Sequence, residues 1–248
     1  MPFVPAGYPS LDATCAVLPS LEAAGADLIE IGIPFSDPIA DGPTIQEAFT
    51  TALSRGLHVS DVLSCVASVR ERLTVPLVAM VSFSIVFRYG LERFLADASR
   101  SGIDGLILPD LPPPEAQSVC GRVRSAGLDT VLLVAPTTRP ERREQIASLS
   151  SGFVYYLSVS GVTGERAALP NDLRENVLAL RAMTDRPVCV GFGISTREQV
   201  ASLRGVADGA IVGSALVRRM KQAGENPQAV ARAAADLCRD LSAGCVPA

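Results

Sequence analysis

Histidine and lysine are almost missing from this chain of 248 residues: His58 and Lys221 are the only ones. Chemistry that needs paired histidines is excluded on that count, and a Ser-His-Asp triad nearly so. Six cysteines (15, 65, 120, 189, 238 and 245) contain no Cys-x-x-Cys pair and no neighbouring histidine. Zinc sites gather several such ligands, so no metal is expected and the cysteines read as buried thiols. Lys221 falls in a late helix, poorly placed for a Schiff base. Basic stripes are lacking too: a net charge of -4 and a pI near 5.1 argue against a nucleic-acid partner. No apolar run is long enough to span a membrane. The N-terminus, Met-Pro-Phe-Val, lacks the basic and apolar regions of a signal peptide. A cytoplasmic location is therefore expected.

What is present is a compact α/β pattern. Hydrophobic residues make up 48% and charged ones 19%, a balance that can bury a core. Apolar β-branched runs alternate with helical periodicity in steps of about 30 residues. Strands are expected near 3–4, 27–33, 77–82, 105–108, 130–134, 153–157, 187–190 and 209–212. Helices are expected over 11–24, 44–55, 60–73, 90–101, 114–126, 140–149 and 171–183, with a last helical region opening at Gly213-Ser214. Eight short apolar strands separated by helices belong to a parallel sheet covered on its outer face. The expectation is one domain, 1–248, folded as a (β/α)8 TIM barrel, with its site at the C-terminal ends of the strands.

The stretch Leu28-Ile-Glu-Ile-Gly-Ile-Pro-Phe-Ser-Asp-Pro-Ile-Ala-Asp-Gly-Pro-Thr-Ile-Gln46 begins as a buried strand and ends as a helix start. Glu30 lies inside the apolar run, where desolvation must raise its pKa unless it is paired. Asp41 sits in a loop stiffened by Pro34, Pro38 and Pro43, where it is expected to stay ionised. Two carboxylates in unlike surroundings can divide acid and base roles. The plainer alternative makes Glu30 a structural acid and Asp41 an N-cap for the helix near Thr44. Asp110 after strand four and Tyr155 on strand six share the same end of the barrel.

The loops after strands six, seven and eight carry Gly161 and Gly164, Gly191 and Gly193, and Gly213 with Ser214. Glycine lets backbone N–H groups approach an anion, and a helix starting at Ser214 adds the positive end of its dipole. Together they predict a phosphate site. Two acids beside it imply acid–base chemistry on a small phosphorylated molecule.

The motif Glu30 to Gln46 resembles the signature of the tryptophan synthase α subunit family. So do Pro2-Phe-Val-Pro-Ala-Gly7, Gly105-Leu-Ile-Leu-Pro-Asp-Leu-Pro112, Ser160-Gly-Val-Thr-Gly164, Val190-Gly-Phe-Gly-Ile-Ser195 and Ala207-Asp-Gly-Ala-Ile-Val-Gly-Ser214. The resemblance runs essentially from end to end. It implies a TIM barrel that cleaves indole-3-glycerol phosphate to indole and glyceraldehyde 3-phosphate. By that resemblance Glu30 matches the general acid–base that protonates indole C3 and takes the side-chain hydroxyl proton. Asp41 matches the acceptor of the indole N–H, and Phe3 and Ile211 match pocket walls. Tyr155 and Thr163 match active-site groups, while Gly164, Gly193, Gly213 and Ser214 match the phosphate binders. No cofactor is implied, which suits the composition. Carbon–carbon cleavage usually draws on a lysine imine or a metal, whereas an indole protonated at C3 is its own electron sink. The implied partner is a tryptophan synthase β subunit, in an α2β2 assembly, through the 34–43 loop.

Three departures from the family pattern stand out. The chain begins at the Pro-Phe-Val strand, apparently lacking the family's extra N-terminal helix. Ser82 stands where a tyrosine is usual, with Ser84-Ile85 for Asn-Pro, and Pro5 replaces a common threonine. Two readings follow: an α subunit that has drifted, or a stand-alone indole-forming lyase of specialised metabolism. Retained Pro34, Asp37 and Pro38 favour the first. A non-catalytic phosphate-binding regulatory barrel is a third. Residues 158–169, polar and glycine-punctuated, are expected to form a lid that is poorly ordered without ligand.

Overall fold

The computed structural model describes residues 1–38, 41–158, 170, 172–191 and 193–246. In chain order these form β1 (Phe3–Pro5), α1 (Leu11–Ala23), β2 (Ile29–Gly32), α2 (Pro43–Ser54), α3 (Val59–Arg70) and β3 (Leu77–Met80). There follow α4 (Phe83–Tyr89), α5 (Leu91–Ser101), β4 (Gly105–Ile107), α6 (Pro113–Ser125), β5 (Asp129–Val134), α7 (Pro140–Leu149) and β6 (Val154–Leu157). The chain ends with α8 (Leu173–Arg181), β7 (Val188–Gly191), α9 (Arg197–Ser202), β8 (Gly209–Ala210), α10 (Ser214–Gln222) and α11 (Pro227–Ser242). Prolines open α2, α6, α7 and α11, where a missing N–H costs nothing. The Ser10 hydroxyl caps α1 by accepting the Ala13 N–H at 3.1 Å.

Each strand pairs in parallel with the next, in the order β1 to β8. The ring closes where Pro2 bridges Val212: Phe3 N–H donates to the Val212 carbonyl and Val212 N–H to that of Met1, each at 2.9 Å. The (β/α)8 barrel expected from the sequence is the fold observed. β8 is only two residues long, shorter than the reading of 209–212. Even so, Ile211 and Val212 keep hydrogen bonds to both neighbouring strands.

Register divides the core in two. Phe3, Glu30 and Val78 stand level on adjacent strands, as do Tyr155, Cys189 and Gly209. Side chains alternate along a strand. One set, including Val78, Ile107, Val131, Tyr155, Cys189 and Ile211, therefore fills the barrel lumen as its own cluster. The other set, such as Val4, Ile31, Leu106 and Val190, packs outward against the helices. Glu30 belongs to the lumen set.

Two helices escaped the periodicity, α4 with seven residues and α9 with six, each under two turns. The cysteine reading is corrected at one pair. Cys15 of α1 and Cys65 of α3 are disulfide-linked, Cα atoms 6.0 Å apart, because those two helices pack side by side. Separated by 50 residues, the two gave no sequence signal. Cys120, Cys189 and Cys238 are buried thiols as expected, and Cys245 is an exposed one. Lys221, on α10, gives its ammonium to both oxygens of Glu47 on α2, at 2.6 and 2.8 Å. His58 is exposed ahead of α3.

Candidate active site

The C-terminal mouth of the barrel is shaped by two glycines on its inner face. A Cβ at Gly32 would meet the Phe3 ring at 2.6 Å, and one at Gly191 would meet Cζ of Tyr155 at 2.6 Å. Their missing side chains leave the space that the two aromatic rings occupy. Gly191, first read with the phosphate glycines, is thereby explained by packing.

Glu30 is 1% exposed, and neither carboxylate oxygen has a hydrogen-bond partner among the described residues. A structural acid at this depth would be paired. Desolvation lifts its pKa from 4.5 to about 8, and the charge of Asp41 adds to the effect. At neutral pH Glu30 holds a proton.

Asp41 is half-buried in a tightly tied loop. Its N–H donates to the Pro38 carbonyl at 3.0 Å, and its own carbonyl accepts from Gln46 Nε2 at 2.7 Å. Helix α2 is capped by Gly42 without a side-chain bond, so Asp41 is not an N-cap. Burial raises its carboxyl to about 6, which leaves it largely ionised at pH 7 but less firmly than a surface loop acid. It lines a cavity of 340 Å³ together with Phe35, Phe49, Met80, Ser82 and Asp110.

The remaining residues singled out by sequence fall around these two acids. Phe3, on β1, packs tilted against Phe49 with centroids 6.4 Å apart. Tyr155 is buried, and desolvation followed by the charges of Glu30 and Asp41 drives its phenol well above its usual pKa of 10. Ile211 is buried in the lumen cluster. Gly193 has φ +85°, a left-handed turn that suits glycine. Gly213 caps α10 and Ser214 is its first residue. At Gly213 an added Cβ would find Phe3 Cδ1 at 3.6 Å, an ordinary contact, so the protein's own packing leaves room for a side chain. Thr163 and Gly164, with Gly161 and most of the expected lid, lie outside the described residues.

Asp110 has a role that its place after β4 only hinted at. Its Oδ1 accepts the Phe83 N–H and its Oδ2 the Ser82 hydroxyl, both at 2.6 Å. Serines at 82 and 84 were noted as departures, but no spacing rule links them to a residue 28 and 26 positions on.

This barrel matches the family model for the tryptophan synthase alpha chain over residues 1–245. The chain belongs to the tryptophan synthase alpha chain family. A tryptophan synthase alpha chain of Rhodopirellula baltica is 45% identical over 97% of this chain and 91% of its own. One from Citrifermentans bemidjiense is 49% identical over 87% and 81%. Among solved structures, Mycobacterium tuberculosis tryptophan synthase superposes with a TM-score of 0.89 at 39% identity, covering 98% of this chain and 90% of that one. A Pyrococcus furiosus tryptophan synthase alpha subunit also reaches 0.89, at 35% identity, covering 97% and 96%. Among its described residues this alpha chain family barrel holds one buried acid, Glu30, and a half-buried acid, Asp41, in the loop after β2.

Proposed function

We propose that this chain is a carbon–carbon lyase that cleaves indole-3-glycerol phosphate to indole and glyceraldehyde 3-phosphate, with Glu30 and Asp41 as the working acids. The single observation that carries the reading is Glu30: sealed in the lumen, unpartnered among the described residues, and protonated at neutral pH. Glu30 gives its proton to indole C3, which places positive charge on the ring nitrogen. The Asp41 carboxylate accepts the indole N–H and offsets that charge. Glu30, now a carboxylate, takes the proton of the side-chain hydroxyl next to the scissile bond. As the carbonyl forms, the bonding pair flows into the ring and restores indole. The ring is the electron sink, so neither an imine nor a Lewis acid is called for. Lys221 would be badly placed for an imine in any case, being engaged by Glu47.

Phe3 and Ile211 wall the ring, Tyr155 and Thr163 complete the substrate site, and Gly164, Gly193, Gly213 and Ser214 hold the phosphate. The side-chain space left open at Gly213 supports this, since a ligand's close approach is a reason for glycine where packing gives none. We place the enzyme in the cytoplasm; no helix among the described residues is long and apolar enough to cross a membrane. Its partner is a tryptophan synthase β subunit that meets the 34–43 loop and the adjacent α4. Phe87 of α4, 75% exposed, supplies the kind of aromatic anchor such an interface uses.

Incubating the purified chain alone with indole-3-glycerol phosphate tests the reaction by release of free indole. Glu30→Gln should abolish release while phosphate-ligand binding persists; full activity in that variant refutes the assignment. Adding a β subunit tests the partnership. Strong activation supports it, and an unchanged rate points to a stand-alone lyase.

A further inference from the structure

We infer that Asp110 is a positioning residue for the ring-binding half of the site, acting through Ser82 and the backbone N–H of Phe83; this rests on the lyase reading above. Both Asp110 oxygens are occupied by the neighbouring loop. Oδ1 takes the Phe83 N–H at 2.6 Å, and Oδ2 takes the Ser82 hydroxyl at 2.6 Å with the Ser84 hydroxyl at 3.5 Å. Ser82 in turn accepts the Ser84 N–H at 3.2 Å, as the N-cap of α4. A helix of seven residues has too few internal bonds to hold itself in place. Hydrogen bonds to a charged acceptor are the stronger kind, so α4 takes its position from the loop after β4.

That bridge is a wall of the active site. Met80, Ser82, Ser84, Pro109 and Asp110 line the cavity that Asp41 faces. The loops after β3 and β4 therefore present one hydrogen-bonded surface to whatever lies against Asp41. The phosphate half hangs on other supports, Gly193 after β7 and Gly213 and Ser214 after β8. Among the described residues, no hydrogen bond of Asp110 reaches them. Loss of Asp110 should accordingly loosen one end of the substrate and spare the other.

Two half-ligands read the ends separately: indole for the ring and glycerol 3-phosphate for the tail. In Asp110→Ala the Kd for indole should rise about tenfold, the scale of one lost charge-assisted bond. The Kd for glycerol 3-phosphate should stay within about twofold. Asp110→Asn keeps an acceptor for Phe83 N–H and an amide donor for the Ser82 oxygen, so it should recover most of the indole affinity. Equal weakening of both ligands, no change in either, or failure of the Asn variant to recover would overturn the inference. If Asp110→Ala does not fold, Ser82→Ala carries the test, with an expected loss of about threefold for indole alone. Unchanged indole binding there is equally fatal. A wild-type chain that binds neither half-ligand removes the lyase reading, and this inference falls with it.

Discussion

Tyr155 lies where a side chain at position 191 would have to be. A Cβ added to Gly191 meets the Tyr155 ring at 2.5 Å from Cε1 and 2.6 Å from Cζ; the two residues are diagonal neighbours on paired strands, Tyr155 standing level with Cys189 and Gly191 with Leu157. The tyrosine is buried and has no open side to retreat into. Gly191→Ala should therefore push the phenol off its place. Overpacking of this kind costs about 1–3 kcal/mol, so a drop in Tm should accompany a fall in kcat. A variant with wild-type Tm and kcat would contradict the packing.

Acid and base roles give a pH profile. Asp41 must be ionised, with a carboxyl near 6, and Glu30 protonated, with one near 8. kcat/KM should rise with pH as Asp41 loses its proton and fall as Glu30 loses its own, peaking near neutrality. Asp41→Asn should lower the rate strongly and erase the acidic limb. If that limb survives in Asp41→Asn, it belongs to another group.

The same buried acid costs stability. Between 4.5 and about 8, Glu30 is protonated in the folded chain and ionised in the unfolded one. Unfolding then releases a proton, so this contribution weakens the fold as pH rises through that window. Glu30→Gln removes the penalty. It should stabilise the protein by roughly 2–4 kcal/mol at pH 8 and by much less near pH 5, even as it abolishes indole release. Denaturant melts at the two pH values check this; a gain independent of pH would show that Glu30 is not held protonated.

Cys15 and Cys65 give a count. Denatured without reductant, the chain should expose four titratable thiols, Cys120, Cys189, Cys238 and Cys245, and six after reduction. Reduction reopens a closed loop spanning 50 residues, worth about 4 kcal/mol on the chain-entropy account. Six thiols before reduction would mean that the pair is not joined.

The barrel was legible because its code is local. Short β-branched runs repeat every 30 residues or so, prolines open four of the helices, and each can be read alone. Glu30 was legible for the same reason, as a charge in an apolar run. Features made by contact between distant segments were not. Gly32 passes as an ordinary strand residue, and Gly191 as one of the phosphate glycines, until Phe3 and Tyr155 are seen over them. The bridge from Asp110 to Ser82 spans 28 positions, and the Cys15–Cys65 pair spans 50. Helix α4, held from outside, has too few residues to show a period of its own.

The bond between Lys221 and Glu47 reaches further than its surface position suggests. Asp41 immediately precedes the Gly42 cap of α2, and Ser214 opens α10; the Lys221–Glu47 pair joins the second turn of α2 to the last turn of α10. Arg55, the C-cap of α2, adds a second strap to Glu225 at 2.7 Å, just beyond α10. On the lyase reading, the jaw that would meet the heterocycle and the jaw that would grip the ester are thus arms of one caliper. A substrate whose tether is one carbon longer or shorter should accordingly bind less tightly than indole-3-glycerol phosphate.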